Sequence, residues 1–439
     1  MSENTTPEGR APVPPEAGPA PTPGLQAAAP VDEARRHETV SRSVLRQIME
    51  SNWVVTLFAI VAAMLLGGVL IAAADAEVRE SAGWLFARPT DFFSAIWNAV
   101  AGAYSALFQG AVFNAQGRNV AQMIRPITET MTISTPLIFA GLGIGLGFRA
   151  GLFNIGAQGQ IILGAVLGGF IGFTFELPVV LHLVLAALGA ALGGALWASI
   201  AGILKATTGA NEVIVTIMLN KVAIHLIGWL LSTQAFRRPG SAQPLSPQIL
   251  ETARYPQLLG PQFRLHLGFL LALLAAAGVW WLMERSTLGL RFRAVGANPN
   301  AARTAGISVP RTTVWVMAIA GSLAGLAGSA QILGTETSGL TDGIAASFGF
   351  DAITVALLGR SKPGGTVLAG LLFGGLRAGG VLMQARTGTP IDIVLVVQSF
   401  IVLFIAAPPL VRAIFRLPQR GGMTRAEKRA AKTAQEVAA

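Results

Sequence analysis

Ten apolar runs recur along this chain, at 53–74, 128–148, 152–175, 177–204, 212–232, 266–283, 312–333, 348–358, 366–384 and 391–411. Most of them reach the ~20 residues that an α-helix needs to cross the hydrocarbon core of a bilayer. A water-soluble chain needs charge to cover such runs, and only 12% of these residues are charged, against roughly 25% in soluble proteins. In lipid, each segment must satisfy its own backbone amides, so the runs are read as helices. The fold class expected is an all-α polytopic membrane protein of about ten transmembrane helices.

An eleventh stretch, 92–113, is placed by counting. The loop 284–311 holds Arg285, Arg291, Arg293, Arg303 and Arg311, and the tail after Val411 is also basic. Lys and Arg gather at the cytoplasmic ends of spans, and an even number of spans separates these two segments. Ten spans in all place the N-terminus inside as well, beside Arg35, Arg36, Arg42 and Arg46. Both termini are therefore expected in the cytoplasm, with 92–113 lying on or partly in the outer leaflet. The loop 233–265, predicted to be external, runs against the charge bias with Arg237, Arg238, Arg254 and Arg264.

Residues 1–50 are rich in Pro and Ala, lack apolar periodicity, and cannot bury enough surface to offset their ordering entropy. They are expected to form a disordered cytoplasmic tail, followed by a transmembrane domain over 51–411 and a basic cytoplasmic tail over 412–439. The first apolar run begins only at Trp53, so it is read as a retained anchor and not as a signal peptide.

Several chemistries drop out. The chain has no cysteine, which removes disulfides, thiolate metal sites and Cys nucleophiles. Its net charge of +10 comes from basic residues between and after spans, without the aromatic interleaving of a nucleic-acid surface, so no nucleic-acid partner is expected. The stretch Gly359-Arg-Ser-Lys-Pro-Gly-Gly-Thr366 has the glycine spacing of a phosphate loop, but Gly365 stands where that loop needs its Lys. A tight cytoplasmic turn is expected there instead. His37, His182, His225 and His266 show no metal-ligand spacing, and no nucleophile elbow occurs. The chain is thus expected to be neither an enzyme nor a cofactor or metal binder, and any ATP it depends on is bound by another subunit.

Polar residues inside apolar runs carry the remaining information, because lipid makes each one costly. Asn154, Gln158 and Gln160 fall close together, with Gly156 and Gly159 loosening the helix between them. Two readings stand open: a broken helix lining a polar pathway, or amides and small residues acting as glue between spans. Asn211 is placed to cap the next span, in which Glu212, Thr216 and Asn220 share one face. Lys221 and His225 share another, and Lys221 either snorkels, pairs with a carboxylate or fixes packing. Asp351, Gln331, Gln384 and Gln398 are further candidates. A short echo between IILGAVLGG at 161–169 and TVLAGLLFGG at 366–375 is compatible with duplicated halves.

The basic loop has its own pattern. Asn298 is suited to cap a helix, Pro299 to its first position, the alanines to its body, and Gly306 to its left-handed end. A short basic helix between two spans, 284–311, is built like a docking element; a plain surface loop is the alternative.

Four blocks, in order, carry a resemblance: GLFNIGAQGQIILGA at 151–165, NEVIVTIMLN at 211–220, LGLRFRAVGANPNAARTAGI at 288–307 and GFDAITVALLGR at 349–360. From Arg125 to Val411 the chain resembles the permease subunits of bacterial ATP-binding cassette (ABC) importers for nucleosides and simple sugars. That group is related to the branched-chain amino acid and ribose importer permeases. It departs from them at Gln158, where many relatives carry Glu, and at Lys221, where an aromatic is usual.

The resemblance implies a type II ABC importer-like fold in the plasma (inner) membrane, paired with a second copy or a homologous permease. It implies an ATPase subunit docked on Arg291, Arg293, Asn298, Pro299, Arg303 and Gly306, and an extracytoplasmic substrate-binding lipoprotein. Asn154, Gln158 and Gln160 would line the pathway, with Glu212, Thr216, Asn220 and Asp351 in support. Neutral amides suit an uncharged, hydroxyl-rich cargo such as a nucleoside or simple sugar. The rival readings are an ion-gradient-driven carrier or channel, which needs essential intramembrane carboxylates, and a membrane scaffold that transports nothing.

Overall fold

The computed structural model describes residues 52–415. The expected tail 1–50, and all but the first four residues of the expected tail 412–439, lie outside the described residues. Among the described residues, eight helices are long and apolar enough to cross a membrane. They are α1 (Asn52–Ala74), α4 (Val120–Arg149), α5 (Ala157–Thr174), α6 (Val179–Thr208), α7 (Glu212–Ser232), α8 (Gly268–Arg285), α11 (Val309–Ser329, extended by a π-helical turn, Ala330–Thr335) and α13 (Pro363–Thr387). Two shorter apolar helices, α12 (Phe348–Leu358) and α14 (Asp392–Ala406), complete the ten expected segments. The remaining helices are α2 (Ala76–Ala82), α3 (Pro89–Ala111), α9 (Thr287–Ala297), α10 (Pro299–Thr304) and α15 (Pro408–Ile414).

The two ends of α8 mark the two faces of the bundle. One face carries α9 and α10 and is called the loop face below. The far face carries 233–267 and 336–346. The helix α3 lies beside the far half of α13, with Gly102 near Thr387 and Gly110 directly on Gly379. It stops at Ala111, whose carbonyl accepts a bond from the Thr130 hydroxyl at 2.6 Å. Residues 112–119 then lead into α4, where the Asn119 side chain caps the first turn through the Gln122 amide at 2.8 Å. A helix that enters and leaves by one face adds no crossing, which agrees with the count of ten.

The core is made from two sets of four helices with matching contacts. Within α4–α7 and α11–α14, the third helix of each set packs on the first helix of the other, α6 on α11 and α13 on α4. The echo between 161–169 and 366–375 joins α5 to α13, which are not equivalent in this pairing. Small residues let the backbones approach, as expected where lipid supplies no hydrophobic drive between helices. At the α6–α11 crossing, a Cβ added to Gly194 or Gly325 would meet backbone oxygen at 2.1 Å. A second apolar cluster joins α1, α3, α13, α14 and α15.

The arginines that run against the charge bias on the far face are consumed as donors. Arg254 bonds the Ile249 carbonyl at 2.8 and 3.0 Å, Arg237 bonds Ser241, and Arg238 bonds the Ser246 and Ser338 carbonyls. Arg264 pairs with Glu129 at 3.5 Å and Glu336 at 3.8 Å. Bias rules count free charge near a membrane end, whereas these four cations are structural parts of a folded cap.

His266 sits in that cap, one residue before Leu267 and α8. It is buried, stacks on Tyr255, accepts the Gly268 amide at 3.1 Å and meets the Thr335 hydroxyl at 3.3 Å. Burial, with Arg264 adding repulsion, pushes its pKa down to about 4. The unfolded chain therefore binds a proton near pH 6.5 that the folded cap refuses, so stability is complete above that pH and is lost as pH falls toward 4. Thermal melting in detergent should drop between pH 7 and pH 5 by the equivalent of about 1–2 kcal/mol, and His266→Gln, which does not titrate, should flatten that slope.

Candidate functional site

The predicted run 152–175 becomes a helix only from Ala157, because 150–156 leave helical geometry at Gly151, where φ is +73°. A helix that starts inside a membrane protein exposes amides that something must satisfy. Here the predicted polar residues do so. Asn154 and Gln160 exchange two amide bonds at 3.0 Å, and Asn154 Oδ1 also accepts the Gly156 amide at 3.0 Å. From α7, Asn220 accepts the Gly159 amide and donates to the Ile155 carbonyl, both at 2.9 Å. Thr216 bonds the Glu212 carbonyl at 2.7 Å, while the Glu212 carboxylate pairs with Lys205 at 2.5 Å and accepts the Phe153 amide at 3.5 Å. Asn154, Gln160, Thr216, Asn220 and Glu212 are all buried. Asn211 caps α7 through the Val213 amide at 2.9 Å, as its position indicates.

Gln158 and Asp351 stand elsewhere. Gln158 donates to the Ala346 carbonyl at 2.6 Å and accepts the Gly349 amide at 2.9 Å, so one α5 amide caps the N-terminus of α12. Gly349 is required there: a Cβ on it would lie 2.3 Å from the Gln158 backbone nitrogen. Two residues on, Asp351 accepts the Ser347 hydroxyl at 3.0 Å and pairs with Arg377 at 3.5 Å. Arg377 also donates to Ser347 at 2.6 Å and lies 4.7 Å over the Phe348 ring. The segment 346–349 is thus held by Gln158 on one side and by Arg377 on the other.

Above that segment is a cavity of about 450 Å³, lined by Thr132, Gln331, Thr335, Thr341, Phe348 and Arg377 among others. Its other walls, Arg264, Glu336, Ser338 and Asp342, belong to the far-face segments. The π-helical turn at the end of α11 brings in Gln331 and Thr335; such turns recur at functional sites. Of the other candidates, Gln398 is buried on α14 and Gln384 is exposed. Arg377 was missed from sequence, although its signal was present: a cation in the middle of the run 366–384, with Asp351 as an intramembrane partner.

At the loop face, Asn298 caps α10 through the Asn300 and Ala301 amides at 3.0 and 3.1 Å, Pro299 takes the first position, and Gly306 ends the turn at φ +81°. Arg291 and Arg303 are exposed. Arg293 is tied back to the Met283 carbonyl and, at 3.0 Å, to Glu284, which also holds Arg149 at 2.5 Å. Gly296 of α9 rests on the backbone of 149–151; a Cβ there would meet the Arg149 carbonyl at 2.5 Å. The basic loop therefore touches the same non-helical segment that leads to Gln158. The stretch 359–366 forms the expected turn between α12 and α13, with Gly365 against Gly359 and left-handed backbone at Arg360 and Ser361.

A multi-pass bundle with a polar cavity on one face and a short capped helix on the other has the form of a membrane permease. The chain belongs to the family described as branched-chain amino acid transport system / permease component, which matches residues 127–406. It is the permease component of an ABC transporter and not an enzyme. Among its relatives is the guanosine ABC transporter permease of Bacillus subtilis (strain 168), 35% identical over 324 residues, 74% of this chain and 90% of that protein. A glucose ABC transporter permease of Haloferax volcanii is 34% identical over 288 residues, 64% of this chain and 75% of that one. A nucleoside ABC transporter permease of Lactococcus lactis subsp. cremoris is 31% identical over 289 residues, 64% and 79% of the two chains. No solved structure matches.

Proposed function

We propose that this permease imports a nucleoside or simple sugar across the plasma membrane, taking it through the cavity above residues 346–349. The observation that carries this is the lining. It offers hydroxyls and an amide from Thr132, Gln331, Thr335, Ser338 and Thr341; the charges of Arg264, Glu336 and Arg377 lie in ion pairs, and the remaining carboxylate, Asp342, is exposed at the rim. Such a surface binds an uncharged cargo rich in hydroxyls without stranding a paired charge, and leaves Asp342 in contact with water. Asn154, Gln160, Glu212, Thr216 and Asn220 act behind it as the frame of the broken helix, while Gln158 and Asp351 hold the floor.

An ATPase subunit docks on the loop face through Arg291, Asn298, Pro299, Arg303 and Gly306, with Arg293 anchoring α9. Movement of α9 passes through Gly296 to 150–156 and on to Gln158, so the floor opens when the engine closes. The far face receives cargo from an extracytoplasmic binding lipoprotein, a second permease completes the pathway, and both termini lie in the cytoplasm. Reconstituted with its second permease, its ATPase and its binding protein, the permease should accumulate labelled guanosine or glucose only when ATP is supplied. Accumulation from an ion gradient with no ATPase present would sink this reading. Arg303→Glu reverses an exposed docking charge and should lower ATP-driven uptake about ten-fold, or ~1.4 kcal/mol of coupling, with membrane insertion unchanged.

A further inference from the structure

On the loop face, α9 and the start of α11 enclose an open groove of about 680 Å³. Arg291 of α9 and Arg311 of α11 both line it, and both are exposed. Thr287 and Ser308 add exposed hydroxyls to its walls, and no Asp or Glu lines it. The carboxylate nearest in sequence, Glu284, is already held by Arg149 at 2.5 Å and Arg293 at 3.0 Å. Among the described residues, neither Arg291 nor Arg311 has a side-chain hydrogen bond or ion pair. Two guanidinium groups therefore share a groove to which the described chain brings no counter-charge.

The rest of the lining is apolar and open, with Leu288, Leu290 and Trp315 all exposed. Trp315 stands one turn beyond Arg311, about 9 Å along α11 from its first residue. On α8, Trp280 and Trp281 are also exposed, and they lie about 6–8 Å inside the end of that helix, where Arg285 reaches back to 5.9 Å over the Trp280 ring. Exposed tryptophans at one level, with arginines just outside them, mark where a helical bundle meets the headgroups. The groove opens at that level. Its arginines stand at the depth of the lipid phosphates, and its leucine and tryptophan walls at the depth of the upper acyl chains. A planar guanidinium binds phosphate through paired N–H donors, and two of them around one phosphate leave no charge stranded. A free phosphate would satisfy the arginines but leave Leu290 and Trp315 bare, whereas a lipid covers both.

We propose that this groove binds one anionic phospholipid, its phosphate between Arg291 and Arg311 and its acyl chains against Leu290 and Trp315. Bound there, the lipid ties the loop 287–311 to the membrane, which adds a lipid to the transport reading without resting on it. The test uses the full chain alone, purified in a neutral detergent, with lipid binding read by native mass spectrometry. The probes are phosphatidylglycerol, phosphatidylcholine with the same acyl chains, and inorganic phosphate.

The wild type should bind phosphatidylglycerol at least ten-fold more tightly than phosphatidylcholine. Arg311→Gln should weaken phosphatidylglycerol about five-fold and leave phosphatidylcholine unchanged, as the loss of one cation near an anionic headgroup requires. Arg311→Lys should keep most of the affinity, and Arg285→Gln, outside the groove on the same face, should keep all of it. On the wild type, phosphatidylglycerol with a diazirine in its acyl chain should crosslink to peptides holding 288–292 or 307–315, a result that needs no variant to fold. Equal binding of the two lipids, displacement of the lipid by equimolar inorganic phosphate, an equal loss with Arg285→Gln, or crosslinks confined to other helices would overturn the proposal. No transport is measured, so failure here leaves the import reading to its own test.

Discussion

Arg377→Met is expected to abolish cargo accumulation and to cost the folded permease about 1–3 kcal/mol, because it leaves the half-buried Asp351 carboxylate without its counter-charge. The same change removes the donor to Ser347 and the cation over Phe348, so the far-face side of the floor is no longer held. Arg377→Lys keeps the charge but not the planar fork that reaches Asp351 and Ser347 together, and should retain a fraction of transport. Pairing Arg377→Met with Asp351→Asn removes the orphaned charge and should recover much of the stability without recovering uptake. Melting in detergent and uptake in vesicles separate the two effects. Full uptake by Arg377→Met would take this cavity off the transport route.

The bundle was legible because lipid imposes a length on each apolar run, and the ten runs become ten helices. Boundaries blurred where the backbone leaves the helix inside the protein: 150–156 read as part of a span, since Leu152, Phe153 and Ile155 are as apolar as any helix needs. Composition does not report that Gly151 turns left-handed there. The loop-face caps were legible because Asn, Pro and Gly act within four residues of themselves. Partner choice was not. Asn154, Gln160 and Asn220 were recognised as costly, yet whether their amides meet cargo or backbone depends on contacts up to 65 residues apart in sequence. The ion pair of Asp351 with Arg377 has the same long-range character, and only half of it was picked out.

Gln158→Leu provides the sharpest test of how the two halves communicate. The wild-type amide satisfies the Gly349 amide inside the protein and the Ala346 carbonyl at the cavity wall. Leucine fills similar volume and satisfies neither, at about 1–3 kcal/mol for the buried Gly349 amide and less for the Ala346 carbonyl, which water in the cavity reaches. With its cap gone, the N-terminus of α12 is freed from α5, and uptake should fall at least ten-fold while the ATPase still docks, because the loop face is untouched. Gln158→Glu is more discriminating. A protonated carboxyl donates to Ala346 and accepts from Gly349 as the amide does, whereas an ionised one has no proton for Ala346 and sets a negative charge against its carbonyl. Transport by Gln158→Glu should therefore decline as pH rises while the wild type stays level. If both variants import at the wild-type rate across that range, the joint between α5 and α12 does not carry motion from the basic loop to the cavity floor.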